Sequence, residues 1–294
     1  MPELPEVQAH AERLTAAYSG AVLSAFEAVS FTALKTFDPP PDAAVGRPLE
    51  SVGRRGKHLL LTFPAGTEPL TYVVHLMQGG RLRPDAKLSR KPRGGVARWR
   101  FDNHDALLLT EAGTEHRAGV WVVAGDPLPQ PPLDHLGPEA DGVDDWEMAA
   151  LLAAHPMRLH TFLRDQRIIA GIGRRLANEV CHRAKLSPFA ATKKLGDAGA
   201  AAVVAAIREV VAEGLAFERD QSEMVSSAQR PGAVHGRTGE VCPVCGDTIR
   251  EVAYRDYTVH YCATCQTGGK VLADNTLSKF GIYDAPPKPR RGRR

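Results

Sequence analysis

The chain has 294 residues, enough for one to three domains with buried cores, and a formal net charge of +3. No apolar stretch approaches the ~20 residues that a membrane helix needs, and the start lacks the basic-then-apolar pattern of a signal peptide. We therefore expect a cytoplasmic protein. The charge is unevenly distributed, because residues 47–100 contain twelve Lys and Arg against three Asp and Glu. Such a block is typical of proteins that bind a polyanion, although a solvated charged face is the alternative interpretation.

The chain opens with MPELPEV, and a helical pattern follows. Methionine in front of a small residue is normally removed, so we expect Pro2 to carry a free secondary amine. An α-amino group has a pKa of about 8, which leaves an unprotonated nitrogen nucleophile available near neutral pH. The spacing of Val7, Ala11 and Leu14 predicts a helix that begins just behind this proline. The alternative is an ordinary, loosely held chain terminus.

Short apolar runs, broken by Gly and Pro, fill the region from Gly20 to Val123. Runs of this length, bounded by turn residues, predict a β-sandwich or barrel of several strands. The runs cover residues 57–63, 70–77, 96–101, 106–110 and 119–123.

The residue pattern changes from strand-like to helical after a linker rich in Pro and Gly at residues 125–142. Helical patterns follow at residues 144–155 and 200–217, and two shorter helical stretches between them flank the turn Gly171-Ile172-Gly173. The predicted fold class is therefore α+β, multidomain.

Four cysteines near the end of the chain form two Cys-x-x-Cys pairs that are sixteen residues apart: Cys242, Cys245, Cys262 and Cys265. The spacer alternates and is rich in β-formers, which predicts a β-hairpin. The pattern predicts one structural Zn²⁺ with four thiolate ligands, since this spacing brings the two pairs around one metal. Two disulfides are the alternative, which a cytosolic location disfavours. The remaining Cys181 is interpreted as a buried packing residue.

In this order, these parts resemble the Fpg/Nei (formamidopyrimidine-DNA glycosylase / endonuclease VIII) family of DNA glycosylase/AP lyases. The resemblance covers essentially the whole chain and rests on MPELPEV, the lysine of GRRGKHLLL, VHLMQGGRL, FLRDQRIIAGIGRRLANEV, and VHGRTGEVCPVCG followed by YCATCQ. It implies an N-terminal catalytic β-sandwich with flanking helices (1–130), a helical helix–two-turns–helix DNA-binding domain (131–225) and a zinc ribbon (226–284). The basic, proline-spaced residues 285–294 are interpreted as a disordered tail.

The resemblance also implies a mechanism. The Pro2 nitrogen would attack the sugar of a damaged, oxidised nucleotide in double-stranded DNA, forming a Schiff base from which β-elimination breaks the strand. Glu3 would act as general acid on the sugar ring, and Lys57 would contact phosphate and assist proton transfer. Glu6 would support the nucleophile, or it is simply an acid that complements the helix dipole. We expect a monomer without a nucleotide cofactor, with a bacterial-type, nucleoid-associated localisation.

Further DNA contacts are implied by the HLMQGG and GIGRR motifs. Met77 would fill the gap left when the damaged nucleotide is flipped out, with His75 beside it. Strand periodicity alone favours the alternative that both are ordinary core or strand residues. The GIG turn would hold a phosphate at a helix start, where backbone amides are free to donate.

The sequence departs from the family at several phosphate-binding positions. Arg174 stands where the family has Asn, and His160 stands where it has Lys. The family's Arg-x-Phe wedge pair has no clear counterpart in residues 110–121, where Arg117 is the single cation. An arginine at position 174 can offer a charged fork in place of the amide.

Another departure lies in the finger, where Tyr257 replaces the arginine that clamps phosphates and Arg255 stands two residues away. We expect attack and first elimination to survive and the second elimination to be weak, leaving a sugar-bearing strand end. If Arg255 takes over the missing position, Arg255→Ala weakens binding to abasic DNA. The alternative function is a non-catalytic or weakly catalytic damaged-DNA binding protein on the same scaffold. A zinc-ribbon transcription accessory factor leaves MPELPEV unexplained.

Overall fold

The computed structural model describes residues 1–112, 117–254 and 257–272. They form two compact units, of which the first combines residues 1–139 with 212–229 and the second combines residues 140–211 with the chain from 230 onward. Within the described residues, no helix has the length and apolar character required to span a membrane. Arg255 and the tail at 285–294 lie outside the described residues.

The first unit is a β-sandwich preceded by a helix, as the sequence predicted. Helix α1 (Leu4–Tyr18) leads into two antiparallel sheets of four strands each, with the orders β1-β6-β7-β5 and β2-β3-β4-β8. The strands are β1 (Leu23–Ala28), β2 (Ser51–Arg55), β3 (His58–Phe63), β4 (Leu70–His75), β5 (Gly80–Asp85), β6 (Gly95–Phe101), β7 (His104–Glu111) and β8 (Gly119–Ala124).

The main core of this unit is an aromatic and aliphatic cluster contributed by both sheets and by α1. Trp99 and Tyr72 are fully buried in it, and Phe26 packs edge-on against Trp99 with ring centroids 5.1 Å apart. The Tyr72 hydroxyl donates to the Pro41 carbonyl at 2.7 Å, which satisfies its buried polar atom. Inward-facing side chains of the two sheets thus interdigitate as in other sandwiches.

The second unit is helical and ends in a small hairpin. Its helices are α2 (Asp145–Ala154), α3 (Leu159–Arg164), α4 (Arg174–Arg183) and the first part of α5 (Gly196–Arg219), with a 3₁₀ turn at Thr192–Lys194. The hairpin pairs β9 (Ile249–Ala253) with β10 (Thr258–Cys262), and α6 (Ala263–Thr267) follows. The predicted hairpin between the two cysteine pairs is therefore confirmed.

Candidate active site and metal centre

The start of α1 holds the residues that the MPELPEV motif singled out. Pro2 is buried, and Glu3 is the extended N-cap residue, with φ −117° and ψ −175°. The Glu3 amide donates to Glu6 Oε2 at 3.0 Å, and the two side chains are only 4% and 1% exposed. Glu6 thus satisfies a backbone donor of the helix start, a capping contact that the sequence analysis did not predict. Its implied role beside the nucleophile stays a prediction.

Helix α1 is fastened to strand β2 by polar contacts as well as by packing. The Thr15 hydroxyl donates to the Val52 carbonyl at 3.0 Å and accepts from the Val52 amide at 2.9 Å. Arg54 Nε donates to Gln8 Oε1 at 3.0 Å, closer to the start of the helix. Because β2 runs directly into the turn that carries the predicted catalytic lysine, these contacts fix helix and turn to one another.

Lys57 lies in the tight turn between β2 and β3 and is only 7% exposed. Its neighbour Gly56 has φ +54°, a left-handed conformation that glycine adopts without strain. Glu139 accepts from the Gly56 amide at 2.6 Å, forms an ion pair with Arg55 at 2.6 Å and also pairs with Arg54. One carboxylate therefore holds the end of β2 and the first residue of the turn, although sequence reasoning placed it only in a linker.

His75 ends strand β4 and faces His58 of β3, with ring centroids 4.5 Å apart. Burial, and secondarily the charge of Lys57, lowers the pKa of His75 to about 4. Burial likewise holds the pKa of His58 well below its usual value. Both rings are therefore neutral in this structure at pH 7, and the DNA contact implied for His75 stays a prediction.

Met77 lies in the turn between β4 and β5 with φ +49°. Its side chain is partly buried and packs against the main core, while the next residue, Gln78, is exposed. A Cβ atom on Gly80 would lie 1.7 Å from the Leu76 carbonyl oxygen, so this turn requires glycine there. The backbone conformation of the turn thus depends on Gly80. The wedge role of Met77 stays a prediction.

Arg81 is a residue that sequence reasoning missed, although it stands inside the quoted VHLMQGGRL motif. Burial lowers its pKa, and Glu6 is among the carboxylates that act in the opposite direction. Its Nη2 donates to the Val225 carbonyl at 3.2 Å. A guanidinium therefore lies within electrostatic reach of the α1 start, which only the pairing of β5 with its neighbours reveals.

In the second unit, the GIG turn leads directly into α4, whose N-cap is Gly173 and whose first residue is Arg174. The Gln166 side chain bridges the turn, donating from Nε2 to the Ile172 carbonyl at 2.7 Å and accepting at Oε1 from the Gly171 amide at 3.0 Å. The Gln166 side chain therefore closes the turn that leads into α4, and the phosphate contact implied for this turn stays a prediction.

Tyr257 belongs to an aromatic stack. Its ring lies 4.7 Å from Tyr254 and 6.1 Å from His160, nearly parallel to both. The guanidinium carbon of Arg164 sits 4.3 Å above the Tyr257 ring, within the range of a cation–π interaction. The tyrosine that replaces the finger arginine thus has an arginine from α3 against its face. Arg164 was not singled out from the sequence, because this proximity arises only in the folded chain.

Helix α4 also holds the loop that precedes the hairpin. Asn178 is fully buried, and its Nδ2 donates to Nδ1 of His235 at 2.8 Å and of His260 at 3.3 Å. The Glu179 carboxylate accepts from the backbone amides of residues 233–235 at 2.7–3.1 Å. These contacts join the LANEV and VHGRTGE segments in the folded chain.

The predicted metal centre is a cluster of sulfur and nitrogen donors. Sγ atoms are separated by 3.9 Å between Cys242 and Cys265 and by 3.3 Å between Cys245 and Cys262. His182 Nε2 and the Sγ atoms of Cys242, Cys262 and Cys265 all lie within 4.8 Å of one another. Thiolate and imidazole are the donors that structural zinc takes, so the residues fit the predicted Zn²⁺. The sequence did not single out His182.

Three family models match the chain in order. They are the formamidopyrimidine-DNA glycosylase N-terminal domain over residues 1–115, its H2TH domain over residues 136–226, and the zinc finger found in FPG and IleRS over residues 239–268.

Individual relatives agree with these matches. A formamidopyrimidine-DNA glycosylase of Desulforamulus reducens is 31% identical over 90% of this chain and 99% of its own length. An uncharacterized formamidopyrimidine-DNA glycosylase-like protein of Mycobacterium tuberculosis is 43% identical over 54% of this chain and 99% of its own length. The crystal structure of MutM (Fpg) from Thermus thermophilus has a TM-score of 0.75 at 27% identity, over 90% of this chain and 98% of that one.

The fold and the matched domains define a three-part scaffold: a β-sandwich, a helix–two-turns–helix region and a zinc finger. The chain belongs to the formamidopyrimidine-DNA glycosylase family of DNA glycosylase/AP lyases. The resemblance and the fold class predicted from the sequence are confirmed, as is one structural Zn²⁺.

We predict that Glu139→Ala destabilises the turn that carries Lys57. The change leaves two partly buried guanidinium groups and one amide without their carboxylate, at a cost of about 3 kcal/mol in the free energy of unfolding. The exposed pair between Glu12 and Arg219 is the matched control, since Glu12→Ala should cost less than about 1 kcal/mol. Urea unfolding of both variants gives the comparison, and equal losses would contradict the role assigned to Glu139.

We predict that His10 makes the fold acid-sensitive. His10 Nε2 bonds the Leu82 carbonyl at 2.9 Å, and burial, with nearby Arg13, lowers the pKa of His10 from 6.5 to about 4. In the unfolded chain, His10 therefore binds a proton below about pH 6.5. In the folded chain, His10 binds that proton only below about pH 4. The free energy of unfolding is therefore highest above pH 6.5 and decreases as the pH falls. At pH 5, His10 accounts for a decrease of about 2 kcal/mol.

The measurement is the fall in unfolding free energy between pH 7.5 and pH 5. His10→Gln keeps an amide donor for Leu82 and removes the titration, so its fall should be about 2 kcal/mol smaller than that of the unchanged protein. His135→Gln, at an exposed histidine, is the control and should leave the fall unchanged. A His10→Gln variant as acid-sensitive as the parent would refute the prediction.

Proposed function

We propose that the protein excises damaged bases from double-stranded DNA and cleaves the abasic site through a Schiff base on Pro2. One observation carries the proposal: Pro2 and Glu3 stand at the start of α1, and the buried turn with Lys57 is tied to the same helix through Arg54 and Gln8. A nucleophile, a carboxyl group and a cation on one rigid base are what glycosidic cleavage followed by elimination requires.

After removal of Met1, the Pro2 nitrogen bonds to C1′ of the damaged nucleotide, and the base leaves with a proton. Glu3 protonates the ring oxygen as the sugar opens, giving an iminium without loss of a second nitrogen proton. Loss of a C2′ proton then expels the 3′ phosphate, and water releases the sugar from the proline. Lys57 holds phosphate and assists proton transfer during these steps.

Oxidised bases are the proposed substrate class. The curated relatives carry the name formamidopyrimidine-DNA glycosylase, after an oxidised, ring-opened purine. Solved structures of Lactococcus lactis Fpg at 23% identity are described with DNA containing an abasic site and with DNA containing an oxidised pyrimidine. At that identity they support a shared fold, and the choice of base in this chain rests on the family name.

A second candidate is a damaged-DNA binding protein with weak or no turnover. The observation in its favour is the change of residues at positions where the family contacts DNA phosphates. Arg174 stands where the family has Asn, and Tyr257 stands where it has Arg. Both candidates predict binding to abasic DNA, and covalent chemistry separates them.

We predict that borohydride traps a covalent complex between the protein and abasic duplex DNA. Reduction of the iminium fixes the sugar to the amino-terminal nitrogen, so Pro2→Gly should remove the adduct. Pro5→Ala, at the other proline of the motif, is the matched control and should keep it.

Peptide mass spectrometry of the adduct locates the bond. A bond to the nitrogen of Pro2, in protein that has lost Met1, supports the enzyme. An adduct on another residue, or active protein that retains Met1, would refute the proposed nucleophile, and no adduct in any variant would favour the binding protein.

We predict that Arg164 supplies a phosphate contact in the region of Tyr257. Arg164→Ala should weaken binding to abasic duplex about tenfold and reduce the salt dependence of log Kd by roughly one phosphate contact. Arg167→Ala is the matched control, because Arg167 lies three residues away, is exposed and pairs with Asp165 at 2.6 Å. Equal effects of the two changes on affinity and salt dependence would contradict a specific role for Arg164.

A further inference from the structure

His182 approaches the cysteine cluster from helix α4. It lies in the last turn of that helix, is only 4% exposed, and its Nε2 is 3.4 Å from Cys242 Sγ. Together with the four cysteines it makes five nitrogen and sulfur donors around one centre. A structural zinc ion takes four ligands, so one donor is in excess.

The distances among these donors distinguish them. Zinc–sulfur bonds of ~2.3 Å and zinc–nitrogen bonds of ~2.0 Å imply tetrahedral edges of roughly 3.8 Å between two sulfurs and roughly 3.5 Å between nitrogen and sulfur. The Cys242–Cys265 separation of 3.9 Å and the His182–Cys242 separation of 3.4 Å match these edges. The Cys245–Cys262 separation of 3.3 Å is shorter than a sulfur–sulfur edge.

Solvent exposure also distinguishes Cys245 from the other four donors. Cys242, Cys262 and His182 are buried and Cys265 is partly buried, whereas Cys245 is exposed. Zinc ligands at the surface are the ones that solvent, oxidants and alkylating reagents reach first.

The position of α4 beside the cluster is fixed by contacts that need no metal. Gln266 of α6 donates from Nε2 to the Leu186 carbonyl at 3.0 Å, just beyond the end of α4. The same side chain accepts at Oε1 from the Cys262 amide at 2.8 Å. His182 is therefore held within reach of the sulfurs by the fold itself.

We propose that His182 is a reserve ligand of the zinc site, which completes a Cys₃His set with Cys242, Cys262 and Cys265 when Cys245 does not bind. Cys245 is then the exchangeable ligand, and its oxidation or alkylation leaves the metal in place. Cys₃His is an established ligand set for structural zinc, so the exchange requires no unusual coordination.

The experiment compares zinc retention in purified full-length variants after dialysis against a chelator. Cys245→Ser should retain about one zinc per chain, and adding His182→Phe to it should lower retention at least tenfold. Cys242→Ser is the matched control, because Cys242 belongs to both ligand sets and its loss should release the metal. Zinc is measured by elemental analysis, and helix content by circular dichroism.

Two results would overturn the proposal. One is a Cys245→Ser variant that releases zinc as readily as Cys242→Ser, and the other is a double variant that retains zinc.

Titration with Co²⁺ provides a second readout that holds even for a loosely folded variant. The visible bands of Cys245→Ser should be those of three sulfurs and one nitrogen, and should change when His182 is also replaced. Bands that do not respond to His182→Phe in the Cys245→Ser background would equally reject His182 as a ligand.

Discussion

The packing of helix α1 against the β-sandwich is the constraint on which the candidate site of the first unit depends. The nitrogen proposed as the nucleophile belongs to Pro2, which lies directly before this helix, so the position of the helix determines the position of that nitrogen. Burial of Val7 and Leu14, at 0% and 4% exposure, contributes about 2 kcal/mol each. The Glu3–Glu6 hydrogen bond contributes about 1 kcal/mol. Packing therefore positions the helix, and the capping contact adjusts its first turn.

Helix α4 has the corresponding role in the second unit, but its contacts are mostly polar. Asn178 and Glu179 hold the loop before the hairpin by directed hydrogen bonds, and His182 reaches the cysteine cluster from the same helix. A buried amide or carboxylate left unpaired costs about 1–3 kcal/mol, so such contacts specify one register where an apolar surface would allow several. The helix therefore fixes both the loop before the hairpin and the ribbon beside it.

The parts of this fold that the sequence predicted are those with a local signal. Strands β3, β4, β6, β7 and β8 coincide with apolar runs, and the cysteine spacing predicted the hairpin. Strands β2 (SVGRR) and β5 (GRLRPD) were not predicted, because they are short and polar and their pairing partners define them. His182 lies 60 residues from Cys242, so only the folded chain brings the two together.

The basic block at residues 47–100 shows why counts of charged residues along a sequence do not give the charge exposed on the protein surface. Arg98 is 3% exposed and bonds Glu27 and Asp85 at 2.8 Å each, so its charge is neutralised inside the unit, and the two β2 arginines share the carboxylate of Glu139. The exposed cations concentrate instead in the β5–β6 connection: Lys87, Arg90, Lys91 and Arg93. Long-range attraction of a polyanion is therefore expected from this connection, whereas the phosphate contact proposed for the buried Lys57 requires a phosphate that already lies against its turn.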